Sequence, residues 1–217
     1  MARSAQLRVA FLGALSLLAV VSTSALACKG QTSLLRDDFT DEDPAWGLQD
    51  MKGVVIADGA MKITADQNSV MHPIYGGANF PAADACVDIV APAAFVKDLT
   101  FGGFGLWTAR GWVFIQINSD ATAEVSGVQN NIWLHPVPPR KFDAIKAGPG
   151  AVNNLRVVWK GPPEQDSNDP PDPTVTVYIN GKLFVKFKTP PNLDRSLALA
   201  AQTNGTTYQF KNLNVTQ

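Results

Sequence analysis

The residues of this sequence whose types could do chemistry match few of the spacings that known reactions use. The glutamates are Glu42, Glu124 and Glu164. Ordinary glycoside hydrolysis needs two carboxylates flanking the bond, about 5–5.5 Å apart for retention or about 6.5–9.5 Å for inversion. No stretch reads Glu-x-Asp-x-x-Glu, a spacing that would set two acids on one strand face. Asp84 and Asp88 have no clear acidic partner, and Asp88 is expected to be exposed or structural. The histidines are His72 and His135, and no His/Cys/Asp cluster has zinc-ligand spacing, so no metal is expected. No Gly-x-Ser-x-Gly elbow marks a nucleophile. A phosphate loop and a dinucleotide fingerprint are also missing, so no cofactor is expected. Catalytic residues therefore stay unassigned. The carboxylates of residues 161–173 suggest calcium, because hard cations want several oxygens. Their spacing matches no EF-hand and prolines crowd them, so a plain surface loop is the weightier reading.

Sugar binding is the chemistry that remains. Pyranose rings present apolar C–H faces beside hydroxyls, so a site wants aromatic platforms next to amides, carboxylates or arginine. Trp112, Phe114, Gln116, Arg156 and Tyr178 form such a set, provided their strands are neighbours on one sheet. The competing reading has Trp112 and Phe114 merely covering a second face under loops. Trp107, Trp133 and Trp159 are expected in the core.

These side chains must be positioned by strands. Leu155, Val157 and Trp159 alternate with Arg156, Val158 and Lys160, and Val175, Val177 and Ile179 alternate with Thr174, Thr176 and Tyr178. A period of two puts one set in a core and the other on the opposite face. Asn180-Gly181 supplies the two positive φ values of a type I′ turn, so residues 174–188 read as a hairpin. Residues 102–118 read as a second one, turning at Arg110-Gly111, with Val113, Ile115 and Ile117 inward and Trp112, Phe114, Gln116 and Asn118 on the other face. Residues 124–127 suggest a short edge strand, and Pro136, Pro138 and Pro139 forbid a central strand. Residues 144–147 suggest one helical turn. No stretch sustains a period of 3.6. Many short strands with frequent turns indicate an all-β fold, a two-sheet antiparallel β-sandwich of jelly-roll type.

The first 27 residues read as an export signal. Arg3 and Arg8 precede an apolar run over residues 10–21, too short for a membrane span of roughly 20 residues. Ala25-Leu26-Ala27 offers small residues at −3 and −1. Cleavage there leaves residues 28–217 as one domain, periplasmic or secreted. Cys28 then has competing fates. It could pair with Cys86, the other cysteine of the chain, in an oxidising compartment. Alternatively Ala25-Leu26-Ala27-Cys28 resembles a lipobox, with a lipid anchor on Cys28, although Ala25 replaces the usual large aliphatic residue. Two unpaired thiols are the third outcome. The net charge of −1 gives no reason to expect nucleic acid as a partner.

The order of motifs carries a resemblance. Asp37-Asp38-Phe39 with Trp46 comes first. Then come the Gly-Gly-x-Gly-Leu-Trp strand at 102–107, an Asn-x-Leu-Arg-Val-x-Trp-Lys-Gly stretch ending at Gly161, Val-Tyr-Ile-Asn-Gly-Lys at 177–182, and Phe-x-Asn-x-x-Val at 210–215. Residues 34–215 thus resemble the concanavalin A-like (laminin-G-like) jelly rolls, and among them the bacterial 3-keto-disaccharide hydrolase domains. The resemblance implies a curved sheet whose concave face meets a carbohydrate ligand. It leaves open whether the chain binds glycans without catalysis, hydrolyses a modified disaccharide, or serves as an envelope structural or adhesion protein. The Pro-rich excursion before Thr174 departs from the family pattern.

Overall fold

The structure is a computed structural model that describes residues 28–66, 69–94, 99–108, 111–160, 174–189 and 196–217. The export signal and the Pro/Asp stretch 161–173, with its calcium reading, lie outside the described residues.

Alternation folds the chain into two antiparallel sheets. The strands are β1 (Ser33–Asp37), β2 (Val54–Ile56), β3 (Met61–Ile63), β4 (Val70–Met71), β5 (Ala83–Val90), β6 (Phe101–Thr108) and β7 (Gly111–Asn118). They continue with β8 (Thr122–Gln129), β9 (Ile132–Lys141), β10 (Val152–Trp159), β11 (Thr174–Ile179), β12 (Lys182–Lys188), β13 (Ser196–Gln202) and β14 (Tyr208–Thr216). One sheet runs β12-β11-β10-β5-β14-β3-β2, with β1 also paired to β14. The other runs β4-β13-β6-β7-β8-β9.

One face of each sheet meets the other in a shared core. Leu155, Val157 and Trp159 of β10 and Val87 and Ile89 of β5 pack in the same apolar cluster as Phe104 and Leu106 of β6, Ile115 and Ile117 of β7, and Leu197 and Leu199 of β13. Trp159 is buried, and its indole N–H donates to the Phe80 carbonyl at 2.8 Å. Trp46 is buried likewise, and its N–H donates to Asp37 at 2.8 Å. A buried indole costs little once its N–H has a partner.

Turn chemistry sets the hairpins. Asn180 and Gly181 adopt φ of 49° and 76°, as the Asn-Gly pair requires. Asn130 and Asn131 do the same for β8 and β9, with φ of 48° and 62°. Two local expectations are corrected and a third, on the prolines, holds. Residues 124–127 belong to an eight-residue inner strand, β8, flanked by β7 and β9. The prolines at 136, 138 and 139 do exclude a central position but not a strand: β9 runs ten residues at the sheet edge. Proline is tolerated at an edge, and the β8–β9 register shifts twice across this stretch, between Ala123 and Val125 and between Val125 and Gly127. Residues 144–147 form no helix.

Candidate functional site

The six-stranded sheet has an outer face built by the residues that alternate with its core. On β7 these are Trp112, Phe114, Gln116 and Asn118. On β6 they are Phe101, Gly103, Gly105 and Trp107. On β13 they include Ala198 and Ala200, which pack outward with Phe101 and Phe114. Register then fixes the rows. Ser196, Trp107, Trp112, Val128 and Trp133 lie across five adjacent strands, and Ala198, Gly105, Phe114 and Ser126 form the next row. A Cβ at Gly105 would sit 2.4 Å from the Phe114 ring. Glycine there lets that ring lie down as a floor, and Phe114 is buried although it points away from the core.

An aromatic run crosses the first row. His72 stacks on Trp107 with centroids 5.0 Å apart and planes at 11°. Trp107 and Trp112 follow at 6.2 Å and 17°. Trp112 rests on Phe114 at 4.6 Å. Trp133 meets Trp112 at 5.3 Å and 87°, and His135 stacks on Trp133 at 6.4 Å. Trp107 and Trp112 are half-buried, whereas Trp133 is 64% exposed. The right angle between Trp112 and Trp133 makes a step whose open side is apolar. Beyond the Phe114 row, β7 and β8 carry Gln116 and Glu124, then Asn118 and Thr122, with Lys141 of β9 opposite Thr122. Gln116 donates to the Ser126 hydroxyl at 2.6 Å. Asn118 donates to Thr122 at 2.9 Å and more weakly to Glu124 at 3.4 Å. Aromatic steps beside amides and hydroxyls match what a sugar ring offers.

The five residues selected from the sequence do not share one surface. Trp112, Phe114 and Gln116 lie together on this face. Arg156 and Tyr178 belong to the other sheet and sit on its own outer side, because Leu155, Val157 and Ile179 take the core positions. There Arg156 donates twice to Asp84, at 2.8 and 2.6 Å, and its guanidinium lies 4.9 Å from the Tyr178 ring. The hydrogen-bonded carboxylate of Asp84 raises the Arg156 pKa against the opposing effect of burial. Asp88 is also buried, and accepts from Asn154 at 2.9 Å and Asn212 at 2.8 Å. These are ties within one sheet, each made to a neighbouring strand.

The same side carries the start of the described chain. Cys28 and Cys86 are bonded to each other, and the Lys29 backbone N–H donates to Asp84 at 3.0 Å. Cys28, Asp84 and Cys86 are the one metal-type cluster among the described residues. Two sulfurs joined in a disulfide offer no thiolate to a metal.

Trp107 and Trp133 are corrections to the sequence reading, which placed both in the core. The hairpins contain the signal that identifies them. Trp107 pairs with Trp112 across the β6–β7 turn. Trp133 pairs with Val128 across the Asn130-Asn131 turn, and Val128 pairs in turn with Trp112. Residues directly opposite in an antiparallel pair share a face. Trp159 lies in the core as expected.

No family model matches the sequence, and no curated protein does. Solved structures do resemble it. A carbohydrate binding module, CBM66 from Bacillus subtilis, superposes with a TM-score of 0.56 at 9% identity, over 76% of this chain and 91% of that one. A beta-glucanase of Bacillus licheniformis gives 0.54 at 12%, over 84% and 97%. A Bacillus subtilis protein of unknown function with a galectin-like fold gives 0.57 at 8%, over 88% and 98%. At such identities the likeness is one of fold, and the fold of this chain is the concanavalin A-like, galectin-like jelly roll.

Proposed function

We propose that this protein is an exported glycan-binding jelly roll that takes carbohydrate on the outer face of its six-stranded sheet. The observation that carries this reading is the aromatic run from His72 through Trp107, Trp112 and Trp133 to His135, with amides and hydroxyls in the rows beside it. Trp107, Trp112 and Trp133 would stack on pyranose faces, and Gln116 and Asn118 would bond hydroxyls. Arg156 and Tyr178 are not assigned to the site. The carbohydrate-binding module among the structural neighbours supports the same reading. The 3-keto-disaccharide hydrolase alternative finds no help on this face. Glu124 is the one acidic residue in all six strands, whereas the ordinary reaction needs two. No observation favours the adhesion reading over binding.

The test is retention on a glycan array. Trp133→Ala removes an exposed ring, so it should lose at least about tenfold in affinity, since a ring's stacking is worth on the order of 1.4 kcal/mol or more. Its melting temperature should stay within about 2 °C of wild type, as for surface substitutions in a chain of this size. Unchanged retention in Trp133→Ala would remove this face from consideration.

A further inference from the structure

Glu124 is the feature of this face that stacking does not explain. It is half-buried on β8, opposite Gln116. Among the described residues its one hydrogen bond is the long contact from Asn118, and no salt bridge reaches it. The basic residues of the same six strands are Arg140 and Lys141 of β9, and both are engaged elsewhere. Arg140 donates to the Phe184 carbonyl at 2.7 Å and lies over the Phe184 ring. Lys141 bonds the Asp120 carbonyl. A half-buried carboxylate without a counter-ion gives up hydration for no internal return, and such an expense suits a group that waits for donors from a ligand.

We infer that Glu124, with Gln116 opposite it and Asn118 diagonal to it on β7, is the specificity-determining part of the proposed glycan site. It accepts hydrogen bonds from adjacent hydroxyls of a neutral sugar unit, and it rejects units that carry a carboxylate. The ligand class is therefore a neutral oligosaccharide long enough to cover both the tryptophan row and this polar row. The attraction is a charge-assisted hydrogen bond, about twice as strong as a neutral one. The rejection is like-charge repulsion in a partly desolvated place, a common way to build specificity by excluding a competitor. This inference rests on the glycan reading above and adds to it the sign of the discrimination.

The experiment uses matched hexasaccharide pairs on one array: β-1,4-linked glucan and mannan, and the same backbones oxidised to carboxylates at C6. Wild type should retain at least one neutral member and bind its carboxylated partner at least tenfold more weakly. Glu124→Gln keeps the shape and removes the charge. It should raise binding of the carboxylated partner at least tenfold while neutral binding falls. Equal wild-type retention of both partners overturns the inference and leaves the glycan reading standing. So does a Glu124→Gln variant that keeps the full discrimination. No retention of any neutral member by wild type, with Trp133→Ala indistinguishable from it, overturns the glycan reading and this inference together. A thermal melt of Glu124→Gln within about 2 °C of wild type shows that charge, and not folding, was changed.

Discussion

Arg156 and Trp112 show how the same alternation yields two different kinds of residue. Both point away from the shared core, but Arg156 meets a buried carboxylate and Trp112 meets other rings. The Arg156–Asp84 pair is bidentate, and its side chains are 15% and 10% exposed. Removing one partner from such a pair leaves an uncompensated buried charge, which costs about 3–5 kcal/mol. Arg156→Ala should therefore lower the urea midpoint by that equivalent and leave glycan retention unchanged, because the pair lies on the other sheet. Lost retention without lost stability would return Arg156 to the binding site. Asn180 is a further residue whose role exceeded its turn. Beyond supplying φ, its amide donates to Ala144 at 2.7 Å and Asn153 at 2.8 Å, and its carbonyl accepts from Asn154 at 2.9 Å. An Asn-Gly dipeptide announces the turn, but it contains nothing about partners on other strands.

At the scale of elements, the β6–β7–β8–β9 run is a meander that delivers three indoles to one row. Its glycines matter as much as its tryptophans. Gly105 faces Phe114 closely enough that any Cβ would displace the ring, and Ala198 lies 3.0 Å from the same point. Gly105→Ala should cost about 1–3 kcal/mol through overpacking. It should also weaken glycan retention, because Phe114 supports Trp112. Thermal melting and the array read these two effects separately. A Gly105→Ala protein of wild-type stability would mean that Phe114 has space to move. The hairpins themselves were legible: alternation sorted Val113, Ile115 and Ile117 from Trp112, Phe114 and Gln116, and the structure keeps that sorting. Trp107 and Trp133 were misplaced for a physical reason. Large aromatic residues are usually buried, and that average outweighed the cross-strand pairing that puts each of them in the row of Trp112.

For the whole molecule, alternation states which face a residue takes but not which sheet owns the strand. β10 pairs with β5 and β13 pairs with β6 across long stretches of chain, and no local pattern encodes such partnerships. A set of binding residues drawn from β7, β10 and β11 therefore split between two sheets. The class of fold survived that error because it depends on periods and turns, which are local. The two-sheet arrangement also divides the five tryptophans cleanly. Trp46 and Trp159 are buried with their indole N–H groups bonded, while Trp107, Trp112 and Trp133 share the outer row. Nitrogen-15 NMR of the five indole N–H signals, titrated with a neutral hexasaccharide that the array retains, tests this division directly. The signals of Trp107, Trp112 and Trp133 should shift together and saturably, with those of Trp46 and Trp159 unmoved. Saturable binding that leaves all three outer indoles unmoved would place the glycan somewhere other than this face.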